Sequence, residues 1–143
     1  MAAAATNISV DYDQGDLGSY PVVASEVIWQ GRPVWTTIGT GYAKGGATTP
    51  AEATDAFLGF ALEKADNGTG SSGDINVKVR TRGRAKVAIG SAAITDIGKG
   101  VYITDDDTFT LTASTNLQVG VVAEWVATGV VMVKFDAGIK LMT

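Results

Sequence analysis

The sequence predicts an all-β fold, a small single-domain barrel or sandwich, and three observations carry that prediction. Glycine occurs 18 times and proline three times in 143 residues, the punctuation of many tight turns. Short β-branched runs recur between those turns, each about the length of a strand. One run, 75–89, alternates strictly: Ile75, Val77, Val79, Thr81, Gly83, Ala85, Val87 and Ile89 fall on one side of a strand. Lys78, Arg80, Arg82, Arg84 and Lys86 fall on the other. A helical period would smear those five charges around its circumference.

The elements follow in order. Residues 1–20 hold Asp11, Asp13 and Asp16, no base and few large apolar groups, too little to offset the entropy of ordering. They read as an extended N-terminal arm preceding a β-domain over 21–143. Runs 22–30 and 33–38 flank Gly31-Arg32, which reads as a hairpin break. Thr49-Pro50-Ala51-Glu52 has the form of a capping box, so a turn or so of helix is expected there, and at most one or two short helical turns in the whole domain. Run 57–64 returns to strand character, with a short helix to Glu63 as its competitor.

A flexible Gly/Ser tip, 66–74, leads into the alternating run. Its fifteen residues would extend about 50 Å at about 3.4 Å each, more than twice a typical strand. Such a strand must bend, and Gly83 is the residue that allows a corner. Two segments serving two sheets, or two sides of a barrel, are therefore expected. Residues 95–100 form a polar connection, and 101–104 with 108–112 flank Asp105-Asp106-Asp107 as a hairpin. Runs 117–126 and 130–135 flank Thr128-Gly129 as another, the most hydrophobic part of the chain.

Composition narrows the function. With no cysteine there is no disulfide and no thiolate nucleophile. With no histidine, the usual general base near neutral pH is missing, together with the serine and cysteine triads. The expectation is a protein that is not an enzyme and takes no cofactor or metal. The N-terminus lacks the basic and apolar regions of a signal peptide, and no stretch is long enough to span a membrane, so synthesis in a cytoplasm and no membrane partner are expected. Net charge is −4, yet the stripe holds five of the eleven bases, leaving six bases against fifteen acids, or −9. That segregation argues against a nucleic-acid partner.

Four motifs invite sharper readings. Gly68, Gly70 and Gly73 spell the dinucleotide fingerprint, but a strand rather than a helix follows, so no pyrophosphate site is read there. Asp105-Asp106-Asp107 lacks calcium-loop spacing and reads as a solvated turn. Trp125 lies in the hydrophobic C-terminal run and reads as core, whereas Trp29 and Trp35, flanking the Gly31-Arg32 break, are the better candidates for an exposed contact and are taken as subunit-interface aromatics, with core as the competing reading. The stripe bases, about 7 Å apart, repel by roughly 0.6 kcal/mol per adjacent pair in water and favour nearby acids, from this chain or from a partner.

The ordered set of motifs has a resemblance. Phe57-Leu58-Gly59-Phe60-Ala61-Leu62-Glu63-Lys64-Ala65-Asp66 precedes the Gly/Ser tip and the strand bearing Arg80-Thr81-Arg82-Gly83-Arg84. Then come Ile97-Gly98-Lys99-Gly100-Val101-Tyr102, Thr108-Phe109-Thr110-Leu111-Thr112, Val119-Gly120-Val121-Val122 and Gly129-Val130-Val131-Met132-Val133. Over residues 55–136 the chain resembles the head decoration, or capsid cement, proteins of tailed bacteriophages.

The resemblance implies a β-barrel or β-tulip-like sandwich, a homotrimer, and a place on the outer surface of the virion. There it would clamp neighbouring copies of the major capsid protein and stabilise the shell. It also implies a partner-binding role for the arm, whose candidate contacts are Ile8, Val10 and Tyr12, alongside Lys78, Arg80, Arg82, Arg84 and Lys86. No catalytic residue is carried over. Two other readings stand beside it: a carbohydrate- or receptor-binding virion module using the tryptophans, and an OB-like single-strand binder using the stripe.

Overall fold

The computed structural model describes residues 6, 7, 9, 10 and 13–137, and its described residues are all-β apart from one 3-10 turn, Ile94–Asp96. Twelve strands follow in order: β1 Leu17–Pro21, β2 Glu26–Ile28, β3 Pro33–Thr37, β4 Ala43–Lys44, β5 Asp55–Ala61 and β6 Ala65–Asn67. The second half supplies β7 Asn76–Arg80, β8 Arg82–Ala88, β9 Gly100–Ile103, β10 Phe109–Thr110, β11 Leu117–Ala127 and β12 Val130–Asp136. Sheet 1 has the order β1-β7-β5-β3-β4, sheet 2 the order β10-β9-β11-β12-β8, and β2 pairs with β6 in a two-stranded ribbon. Every strand pair is antiparallel. The sheets remain open at their edges, so the sandwich form of the expected fold is the one adopted.

Layering explains the composition of β5. Its Phe57 and Phe60 join Trp35 in one core with Val101, Ile103, Val131, Val133 and Phe135 of sheet 2. Leu58 and Ala61 join Val34, Val77 and Val79 in a second core, closed by Ile28 and Ala65 of the ribbon. A strand buried on both faces reads as a continuous apolar run, which is why 57–64 carried no alternation. Between the sheets the Phe60 and Phe135 rings meet edge to face at 4.8 Å. Each fully buried Val, Ile or Phe contributes about 1.5–3 kcal/mol, so these two cores supply most of the cohesion.

The alternating run divides as expected, into β7 of sheet 1 and β8 of sheet 2. The break falls at Thr81, and Gly83 takes a φ of 143° two residues later. Both ends of the domain converge on this corner. Thr81 donates its N–H to Asp16 O at 2.8 Å and its hydroxyl to Gly15 O, and its own carbonyl accepts from Ala137 N–H at 2.6 Å. Residues 17–20 of the expected arm form the edge strand β1 against β7, with Leu17 opposite Arg80 and Tyr20 opposite Val77.

The two C-terminal hairpins form as predicted, β9 with β10 and β11 with β12. Two local expectations are corrected. Gly31-Arg32 is not a hairpin turn: β2 pairs with β6, β3 pairs with β4 and β5, and the break carries the chain from ribbon to sheet 1. Gly31 N–H and Arg32 O are instead tied to Ala61 O and N–H at 2.8 and 2.9 Å. The capping box starts no helix either. Asp55 accepts the Ala51 N–H at 2.8 Å and closes a single turn, while Glu52 reaches across to Gln118 N–H at 2.9 Å. Local side-chain bonds of this kind compete directly with helix formation.

Candidate interaction surface

The corner disperses the basic stripe. Arg80 lies opposite Phe60 and Leu17 on sheet 1, at the margin of the inter-sheet core, with Lys78 opposite Ser19. Arg82, Arg84 and Lys86 belong to β8, opposite Asp136, Lys134 and Met132 of β12. Directly opposed residues share a face of a sheet. Since Gly83, Ala85 and Val87 face the core with Phe135, Val133 and Val131, the three bases stand on the outer face of sheet 2.

The protein neutralises little of this charge. Among the described residues Arg84 forms the stripe's one ion pair, 2.9 Å from Glu124 Oε1. Arg82 donates to the backbone carbonyl of Gln14, which ties the arm to the corner. Around Gly83 a hollow brings Arg80, Arg82, Arg84 and Lys134 against only two acids, Asp16 and Asp136. All four bases are exposed.

Exposed apolar side chains also gather along β11. Ile94, Ile97, Val121, Trp125 and Val126 are half of the exposed large apolar side chains among the described residues. They belong to one neighbourhood, because the 3-10 turn and the chain after it lie along β11. Gly98 N–H donates to Val122 O and Val122 N–H to Lys99 O, each at 2.9 Å, and Trp125 Nε1 donates to Ala92 O at 3.3 Å. The Lys99 ammonium at 2.8 Å, and then the Ala93 N–H at 2.9 Å, hold the Asp96 carboxyl below its usual pKa and fix the turn. Val121 shares a row with Lys134 and Arg84, and Glu124 shares one with Met132 and Lys86. The outer face of sheet 2 therefore places Val121 and Met132 beside Arg84, Lys86 and Lys134, whereas Trp125, opposite the core residue Val131, belongs to the core-facing row.

The sequence-predicted site residues fare unevenly. Ile8 and Tyr12 lie outside the described residues, and Val10 is exposed. Trp35 is corrected: it has no exposed surface and sits in the inter-sheet core with its Nε1 unpaired, because β3 runs through the middle of sheet 1. Trp125, expected in the core, is 37% exposed. Between the register shifts at Val122/Glu124 and Trp125/Ala127 it stays opposite the core residue Val131, on the core-facing row but incompletely covered. Ile97 was missed inside the 95–100 connection read as polar, and Ile94 just before it, although two isoleucines among polar neighbours were the available signal.

At the opposite edge of sheet 2, beyond β9 and β10, lies a second hollow. Trp29 is 52% exposed there, and the Lys64 ammonium stands 4.2 Å from its ring centroid. Arg32 pairs with Asp107, and Asp106 donates its N–H to Gly46 O at 3.0 Å, so the acidic turn is anchored to sheet 1 rather than freely solvated. Burial first, then the Asp106 carboxylate, push Glu26 above its usual pKa, with Lys44 opposing them. Among the described residues no group of three or more acidic side chains could hold a metal ion, and no helix is long and apolar enough to cross a membrane.

No protein-family model matches this chain, and no curated protein matches it. Among solved structures the chain is similar to the head fiber gp8.5 N base of bacteriophage phi29, at 17% identity and a TM-score of 0.44, over 84% of this chain and 94% of that one.

Proposed function

We propose that this is a structural virion protein that binds the outer surface of an assembled phage capsid. In this reading it bridges neighbouring major capsid subunits and stabilises the shell, and it carries out no catalysis. The observation that supports it best is the outer face of sheet 2, where the exposed Val121 shares a row with Arg84 and Lys134 and Lys86 stands in the next. A cationic face with an exposed apolar side chain among its bases suits an acidic protein surface, which it would meet by steering and then by burial. Nucleic acid suits it less, since aromatic rings are not interleaved with the stripe.

The ordered motifs of residues 55–136 support the same reading through their resemblance to capsid cement proteins. Many identical copies, each burying a modest area across subunit junctions, stabilise a lattice by mass action when they bind only the assembled form. A homotrimer would multiply each contact and is part of the proposal. Mixing the purified protein with undecorated expanded heads of its phage tests it. Saturable, stoichiometric binding and a higher melting temperature of the heads are expected, and heads that stay bare would refute it.

A further inference from the structure

The Trp29 hollow is not used by the proposed capsid contact. It lies at the β10 edge of sheet 2, whereas the stripe enters at the β8 edge, with three strands between. Three separate segments build it. Trp29, Gln30 and Arg32 come from the ribbon-to-sheet crossing, Lys64 from the chain after β5, and Asp106 with Asp107 from the β9–β10 turn. Each segment is anchored by backbone bonds: Gly31 N–H to Ala61 O, Leu62 N–H to Lys78 O, and Asp106 N–H to Gly46 O. The convergence is therefore part of the fold.

We propose that this hollow is a binding site for a neutral saccharide. The exposed indole of Trp29 offers an apolar face against which a sugar ring can stack, the amphipathic role that suits tryptophan at wet contacts. Its surroundings offer planar hydrogen-bonding groups of both kinds: the Gln30 amide, the Arg32 guanidinium, and the Asp106 and Asp107 carboxylates. Such groups pair well with neighbouring hydroxyls, each of which donates and accepts. Arg32 and Lys64 balance Asp106 and Asp107, so the lining carries no net charge and favours a neutral ligand over an anionic one. The Arg32–Asp107 pair holds both side chains in place before a ligand arrives, and the Lys64 ammonium over Trp29 steadies the ring.

The test is saturation-transfer NMR on the full chain with maltotriose, cellotriose and N-acetylchitotriose as probes, alongside a sialylated trisaccharide. Saturable transfer to at least one neutral probe is expected. Trp29→Ala should weaken it by about tenfold or more, as truncation of a central aromatic anchor does. Gln30→Ala should weaken it less, and both variants should keep the wild-type melting temperature because the side chains are exposed. No transfer to any neutral probe, binding that survives Trp29→Ala, or binding of the sialylated probe alone would each overturn the proposal. Failure here leaves head binding untouched, so the two readings are separable.

Discussion

Arg84 on β8 reaches over β12 to Glu124 on β11, closing a 2.9 Å ion pair across the outer face of sheet 2. Both side chains are more than half exposed, so the pair contributes about 0–1 kcal/mol to stability. Its larger effect is on charge. Glu124→Gln should leave the melting temperature nearly unchanged and free Arg84 for an acidic partner, tightening head binding. Arg84→Glu should weaken that binding severalfold, and the wild-type affinity should fall with added salt. Titration onto expanded heads at several ionic strengths measures all three.

Gly59 and Arg80 pack backbone against backbone. A Cβ on Gly59 would lie 2.2 Å from Arg80 O, and its φ of 128° is one that side chains rarely adopt. Gly59→Ala should therefore cost about 3 kcal/mol or more through overlap and strain. Urea denaturation gives the figure, and a loss below about 1 kcal/mol would contradict the close approach.

Trp35 and Trp29 should respond oppositely to truncation. Trp35→Ala opens the inter-sheet core and is expected to cost about 3–5 kcal/mol. Trp29→Ala removes an exposed ring and one cation contact, worth under about 1 kcal/mol. Thermal melts of the two variants discriminate the assignments. Trp35→Phe should be milder than Trp35→Ala, since it also removes the unpaired indole N–H.

Two carboxylates give the stability an asymmetric pH profile. Burial works to raise Asp55, but the Ala51 N–H, the Thr37 and Thr54 hydroxyls and Lys44 outweigh it and hold the group below its usual pKa. A lowered folded pKa contributes stability above the ordinary carboxylate value, lost as pH falls through the folded one. Glu26 has the opposite sign. Its raised folded pKa gives a contribution complete below the ordinary value and lost as pH rises through the folded one. Asp55→Asn should make the protein less acid-sensitive but weaker at neutral pH, and Glu26→Gln should stabilise it at neutral pH. Melting temperatures across the acid to neutral range check both signs.

Much of the fold was legible because β8, β11 and β12 are long and their turns carry ordinary hairpin chemistry. The stripe disclosed the strand that joins the sheets, since an apolar face and a charged face at period two have one structural solution. The three-layer arrangement was not legible. Gly31-Arg32 can close a hairpin or carry a layer crossing, and only the tertiary partners of β2 and β3 decide between them. Trp35 and Trp125 were misplaced for related reasons. One depended on that crossing, and the other on how far the core-facing row of β11 is covered, which no local signal marks.

A reconstruction of decorated heads tests the central claim most directly. The account predicts that β8, β12 and β11 face the shell, with Val121, Arg84 and Lys134 at the contact and Trp29 pointing to solvent. Density in which the outer face of sheet 2 looks away from the capsid, or heads carrying no added density at all, would contradict it.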